Sequence, residues 1–263
     1  TQFTDGSTPA AGDPIVSWNW SFPSGNPATS TATNPLVTFP SGNYATTLTV
    51  TSQAGCTSIF TQAVTVNPLP VANLSGNNVC LNNITSFTDL STGNNTITNW
   101  NWSMPGGSPA TSTSQNPSTT YASAGTYSVT LIITNNFGCM DTNVITVVVN
   151  PLPSVSFVST TVCVGNATSF ADQSTISSGS ITAWNWSFPG GNPSTATTQT
   201  ASVTYPAGNY TVTLIVTSQA GCMDTIALPI SIIALPVAAF SSSTVCEGNA
   251  TQFTDGSTPV AGD

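Results

Sequence analysis

Residues 97–103 (ITNWNWS) and 127–134 (YSVTLIIT) decide the fold of this chain. In the first, Trp100 and Trp102 fall on one face and Asn101 on the other; in the second, Tyr127, Val129 and Leu131 share a face. A period of two marks a β-strand with one buried side. Working outward, Val71–Ser75, Ile84–Asp89, Ser118–Tyr121 and Thr142–Val149 read the same way. In chain order these make strands A, B, C (Ile97–Ser103), E, F (Tyr127–Thr134) and G, with the Gly-Pro-rich Pro105–Pro109 after C. Many short alternating strands separated by turn signals predict an antiparallel sandwich. No stretch carries a helical period, so the fold class is all-β.

The same unit recurs along the chain. Cysteines stand at 56, 80, 139, 163, 222 and 246, with gaps of 24, 59, 24, 59 and 24. Trp-Asn-Trp-Ser recurs at 18–21, 100–103 and 184–187, and Gly-x-Tyr at Tyr44, Tyr127 and Tyr210. Pro-Leu-Pro or Ala-Leu-Pro sits at 68–70, 151–153 and 234–236. The expected modules are therefore 1–67 (without its strand A), 68–150, 151–233 and the start of a fourth at 234–263. Residues 251–263 repeat residues 1–13 except for Val260 in place of Ala10. Three modules thus form a super-repeat, and a longer tandem array arranged as a linear rod is expected.

The composition excludes whole classes of chemistry. There is no Lys, Arg or His among 263 residues, against nine acids (eight Asp and Glu247), for a net charge of −9. Without His or Lys there is no Ser-His or Cys-His dyad and no Schiff-base lysine. Without Lys or Arg nothing neutralises phosphate, so nucleic acid and anionic membrane are poor partners. The longest apolar runs, such as Val147-Val148-Val149, are too short to insert in a bilayer. Hydrophobic residues at 39% with charged residues at 3% oppose the composition of a disordered chain.

Several motifs in order carry a family resemblance. WNWSFPSG at 18–25, NPLVTF at 34–39 and GNYATTLTV at 42–50, with equivalents in each unit, resemble the PKD domain, an immunoglobulin-like sandwich. Such domains are similar across archaeal and bacterial surface-layer proteins, secreted polysaccharide hydrolases and giant repeat adhesins of gliding Bacteroidota. The Val-Cys…Gly-Cys pattern and the Asn-Pro-Leu-Pro linkers look most like the last group, which implies export by the type IX route. The family usually shows W-D-F-G-D-G, whereas Ser21, Ser103 and Ser187 replace the first Asp here. The resemblance therefore implies no cofactor, with weak Ca²⁺ binding as the remaining alternative.

The candidate residues are chiefly structural. Trp18, Trp20, Trp100, Trp102, Trp184 and Trp186 are expected to fill the cores rather than to stack on sugars, and Tyr44, Tyr127 and Tyr210 to form tyrosine corners. Asp5, Asp89, Asp172 and Asp255 end strand B, while Asp141 and Asp224 follow Gly-Cys. Repetition in every module suits loop capping better than a paired-carboxylate active site. No catalytic residue and no metal ligand is expected.

The cysteines suit disulfides in an oxidising, extracellular setting. In this sandwich topology Cys80, Cys163 and Cys246 lie in A–B turns at one end of a module, and Cys56, Cys139 and Cys222 in F–G turns at the other. Strands of about seven residues separate the ends by roughly 20 Å. Bridged Cα atoms must lie within about 7 Å. Cys80 with Cys139 is thus disfavoured, and Cys80 with Cys222, between consecutive modules, is expected. Bonds to neighbouring chains are the rival pairing. Cys56, Cys139, Cys163 and Cys246 would pair with further units or with neighbouring chains.

The leading functional expectation is a bacterial extracellular rod, surface fibre or adhesive appendage, self-associating into a homo-oligomeric fibre through uncharged sheet edges. The alternatives are a glycan- or surface-binding adhesin using loops such as Pro23–Pro27, Pro105–Pro109 and Pro189–Pro193, and non-catalytic spacers of a larger secreted enzyme.

Overall fold

A computed structural model of the chain describes residues 1–258. Among the described residues every regular element is a β-strand, and no helix is long and apolar enough to cross a membrane. They fall into two compact units. The first comprises Thr1–Asn77, Ile84–Thr120 and Thr126–Val147; the second comprises Asn78–Asn83, Tyr121–Gly125 and Val148 onward.

In the first repeat β1 (Ile15–Ser21), β2 (Thr29–Ser30), β3 (Gly42–Ser52) and β4 (Thr57–Val66) form an antiparallel sheet ordered β2-β1-β3-β4. The register sets Trp20 opposite Leu48 and Leu48 opposite Phe60. Alternation along β1 thereby delivers Trp20 to a core with Phe22, Val37 and Leu48, against which Phe3 packs.

The second repeat contributes β5 (Leu74–Gly76), β6 (Val79–Cys80), β7 (Ile84–Asp89), β8 (Ile97–Ser103), β9 (Gly107–Ser108), β10 (Thr111–Ser112), β11 (Ser118–Tyr121), β12 (Gly125–Asn135) and β13 (Met140–Asn150). One sheet runs β5-β7-β11-β9, and β10-β8-β12-β13 follow one another in another. Phe87 on β7 and Trp102 on β8 are fully buried, with ring centres 5.7 Å apart, so the inward faces of both sheets meet at these rings. Each buried side chain of this size contributes about 1.5–3 kcal/mol relative to exposure. Within the second unit, Val79 and Cys80 of β6 pair in parallel with Val149 and Asn150 of β13.

The third repeat contributes β14 (Phe157–Ser159), β15 (Ala167–Asp172), β16 (Ile181–Ser187), β17 (Thr195–Ala196), β18 (Thr200–Thr204), β19 (Gly208–Ser218) and β20 (Met223–Ile232). Its sheets run β14-β15-β18 and β17-β16-β19-β20. Phe157, Phe170, Trp186, Phe188, Val212 and Leu214 are among its buried residues. A final hairpin, β21 (Phe240–Ser242) with β22 (Phe253–Asp255), repeats the β14–β15 register: Phe240 faces Asp255 as Phe157 faces Asp172. Of the fourth module expected at 234–263, residues 259–263 lie outside the described residues.

Two expectations change in detail. Strand A is Leu74–Gly76 rather than Val71–Ser75; Val71 makes a single bridge to Thr92. The chain leaves Pro70 without an amide donor, and Ala72 N–H goes to the Asp141 carboxylate instead of a strand partner. Of the nine aromatic residues expected in the cores, only Trp20, Trp102 and Trp186 are fully enclosed. Trp18, Trp100, Trp184, Tyr44, Tyr127 and Tyr210 are half-buried.

Candidate functional site: tryptophan–aspartate pairs and the cysteine register

The first Trp of each pair stops at the rim because its indole N–H has a partner there. Trp18 Nε1 donates to Asp5 Oδ2 at 2.6 Å, Trp100 to Asp89 at 2.7 Å and Trp184 to Asp172 at 2.7 Å. The other oxygen of each carboxylate accepts the backbone N–H two residues on, from Ser7, Ser91 and Ser174. The Asp therefore closes the turn after the B strand and ties it to the C strand. Burial pushes the Asp89 carboxyl up, but hydrogen bonds from Ser91, Trp100 and Gln115 together outweigh it and hold the pKa below its ordinary value. Asp5 follows the same balance, with Ser7 and Trp18 as donors.

The second Trp of each pair is buried, and Trp20 and Trp186 donate to the carbonyls of Ala32 and Thr198. That leaves these three indoles without an open face for a sugar ring. Tyrosine corners form at Tyr44, whose hydroxyl donates to Pro40 O at 3.1 Å, and at Tyr210, which donates to Pro206 O at 3.2 Å. Tyr205 packs against Tyr210, 4.7 Å between ring centres; burial and then the neighbouring phenol raise its pKa to about 12.

The loops after the C strands are built against the cores. A Cβ on Gly191 would come within 2.5 Å of Val203 Cγ1, and one on Gly107 within 2.5 Å of Thr119 Oγ1. Asn26-Pro27, Ser108-Pro109 and Asn192-Pro193 are cis peptides. Among the described residues, no three or more His, Cys, Asp or Glu side chains converge on a common point. Asp141 accepts from the N–H of Ala72, 69 residues away in sequence, and Asp224 from that of the adjacent Thr225.

The cysteines occupy two turns, each recurring with constant geometry. Cys56, Cys139 and Cys222 each follow a glycine at φ 82°, 78° and 80°, and their carbonyls accept from Ser52, Asn135 and Ser218. Carbonyls of Cys80, Cys163 and Cys246 each accept the N–H three residues on, from Asn83, Asn166 and Asn249. Cys163 also bridges Ile233 in parallel, as Cys80 pairs with Asn150. In the second unit Cys80 and Cys222 form a disulfide, with Cα atoms 5.6 Å apart across 142 residues of sequence. Cys56, Cys139, Cys163 and Cys246 are free thiols. The Trp–Asp pairs went unanticipated in the sequence, although Asp5, Asp89 and Asp172 precede Trp18, Trp100 and Trp184 by nearly constant intervals.

Comparison with known proteins agrees with this architecture. The PKD domain family matches the chain twice, over residues 67–150 and 148–232. A mouse relative, dyslexia-associated protein KIAA0319-like protein, is 32% identical over 165 residues, and the chain spans only 16% of its length while 56% of this chain is covered. Among solved structures, the PKD1 domain of Vibrio anguillarum Epp is 28% identical over 33% of this chain and 99% of that one, with a TM-score of 0.30. The PKD1 domain from Vibrio cholerae metalloprotease PrtV is 31% identical over 31% of this chain and 98% of that one, with a TM-score of 0.28. Two consecutive family matches cover more than half of the sequence, and the chain belongs to the PKD domain family as a tandem series of immunoglobulin-like β-sandwiches.

Proposed function

We propose that this chain is a structural extracellular repeat protein whose modules act as a stiff rod within a bacterial surface fibre, stalk or adhesive appendage. The observation that carries the reading is the Cys80–Cys222 bond, which joins residues of consecutive repeats. A disulfide of this kind belongs to an oxidising compartment. Short Pro-locked connections, Asn67-Pro68-Leu69-Pro70 and Asn150-Pro151-Leu152-Pro153, support stiffness. A composition without His, Lys or Arg supports a non-catalytic role, since general bases near neutrality are missing. The Bacteroidota-like motif pattern supports export by the type IX route.

Small-angle scattering and negative-stain microscopy test the reading with and without a thiol reductant. Extended particles that lose their stiffness on reduction are expected. Compact particles unchanged by reduction would overturn it.

A further inference from the structure

The Cys80–Cys222 bond closes a loop that holds most of two repeats. Its ends are 142 residues apart in sequence and 5.6 Å apart between Cα atoms. Phe87 and Trp102 of the second repeat's core lie inside the loop, as do Phe170, Trp186 and Leu214 of the third. Tension that enters before Cys80 and leaves after Cys222 has two covalent routes, the backbone of 81–221 or the two sulfur atoms. The sulfur route holds the two Cα atoms together, so the backbone between them feels no pull on its ends.

On either side of the bond the tension meets chain that is already extended. Upstream, β5 pairs with β7, Leu74 opposite Asp89 and Gly76 opposite Phe87. Val79 and Cys80 of β6 are in register with Val149 and Asn150, and the Leu81 N–H donates to Asn150 O at 2.8 Å. Downstream, Cys222 leads directly into β20, which faces β19 along its whole length, from Met223 opposite Thr217 to Ile232 opposite Gly208. The two pulls on β20 act at its opposite ends and balance. The strand is therefore stretched rather than dragged past β19.

Stretching gains little. A strand rises about 3.3 Å per residue and a fully extended chain at most about 3.6 Å, so β20 has about a tenth of its length left to give. Both of its ends are also pinned. Cys222 is buried; its N–H donates to Ser218 Oγ at 3.1 Å, and its carbonyl accepts the Ser218 N–H at 2.8 Å. Past the strand, the Ile233 N–H donates to Val162 O at 3.1 Å, and Ile233 O accepts the Val164 N–H at 2.8 Å.

We propose that the chain acts as a tether whose tension runs through β5, β6, the disulfide and β20, bypassing the cores of the second and third repeats. Without the bond the same pull crosses each of these sandwiches, and each lengthens by unfolding. With it, the loops Pro105–Pro109 and Pro189–Pro193, which lie inside the closed segment, keep their shape under load. The tethering role rests on the rod reading and adds to it the route by which force travels.

Single-molecule pulling tests this on the full chain, held by ligation tags at its two ends. Opening the loop frees 142 residues, or roughly 500 Å of contour at about 3.5 Å each. The oxidised chain should show none of that release. Wild type with reductant, and a variant with Cys80→Ala and Cys222→Ala, should show all of it. Gly191→Ala crowds the third repeat's core from within the loop. It should lower the unfolding force in the double-Ala background and leave the oxidised curve unchanged; if it does not fold, Phe170→Leu serves in the same comparison. An oxidised chain that releases the loop's length, or whose curve shifts with the core substitution, would overturn the proposal. Compact particles in scattering that are nonetheless locked under force would overturn the rod reading and support the force route. Stiff particles that lengthen fully when oxidised would overturn the force route alone.

Discussion

Trp184 Nε1 donates a 2.7 Å hydrogen bond to Asp172 Oδ2, and Asp172 is the only acid that is buried among the described residues. The carboxylate also accepts from the Ser174 N–H, so one side chain holds both the indole and the turn. Asp172→Ala leaves two donors at a partly enclosed rim without a charged acceptor. Hydrogen bonds to charged groups contribute about 1.5–3 kcal/mol each, although the freed donors recover some of this from water. The expected loss is about 2 kcal/mol in urea unfolding. Asp172→Asn, which retains an oxygen acceptor, should lose less. Equal stability for Ala and wild type would show that the pair contributes nothing.

The same pairs set the acid sensitivity of the first two repeats. Asp5 and Asp89 have folded pKa values held below the ordinary 3.8, so their contribution is fully present above that value and is lost as pH falls through the lower folded values. The side-chain types of this chain have no ordinary pKa between about 5 and 8. Urea midpoints should therefore be flat from about pH 5 to 7 and fall below about pH 4. Protonation also relieves repulsion among nine uncompensated acids, which opposes the loss. The difference between wild type and Asp89→Asn isolates the pair from that background. It should be present at pH 7 and vanish near pH 2, whereas a constant difference would contradict the sign.

Much of the fold is legible from alternation. Ile84–Asp89, Ile97–Ser103 and Ser118–Tyr121 are strands with the expected bounds, and each turns alternate residues inward: Thr85 and Phe87, Trp100 and Trp102, Thr119 and Tyr121. Alternation gives the face of a residue but not its depth. Trp100 and Trp102 share a face, yet only Trp102 is enclosed, since Asp89 draws the Trp100 indole to the rim. Strand A is less legible: it is three residues long, at a sheet edge, and positioned by Asp141 at a distance of 69 residues in sequence. The two-residue strands Thr29–Ser30, Thr111–Ser112 and Thr195–Ala196 carry no period at all. They exist because the C strands leave an edge free to pair with the returning loop.

That returning loop has a steric requirement at Gly191. A Cβ there would meet Val203 Cγ1 at 2.5 Å and the Tyr205 ring at 2.8 Å, and both neighbours are buried. Neither can give way without disturbing the core of the third repeat. Gly191→Ala should therefore cost about 1–3 kcal/mol, as overpacking does. Thermal unfolding by near-ultraviolet circular dichroism reads this directly. A neutral result would mean that the loop lifts away from Val203.

The Cys80–Cys222 bond closes a segment of 142 residues, which constrains the unfolded chain far more than the folded one. In the chain-entropy description such a loop stabilises by on the order of 5 kcal/mol. Replacing both residues by Ala tests this without leaving a stray thiol or placing an unpaired hydroxyl at position 222, which is 1% exposed. The double variant should fold, with a lower thermal midpoint, and should lose up to about 5 kcal/mol in denaturant. The bond also predicts how the chain behaves once cut. A single chymotryptic cut between 81 and 221 leaves both fragments covalently joined in wild type. On a non-reducing gel the nicked protein should therefore run as one species and separate only with reductant. The double-Ala variant should separate without reductant, because no second covalent path then spans the cut.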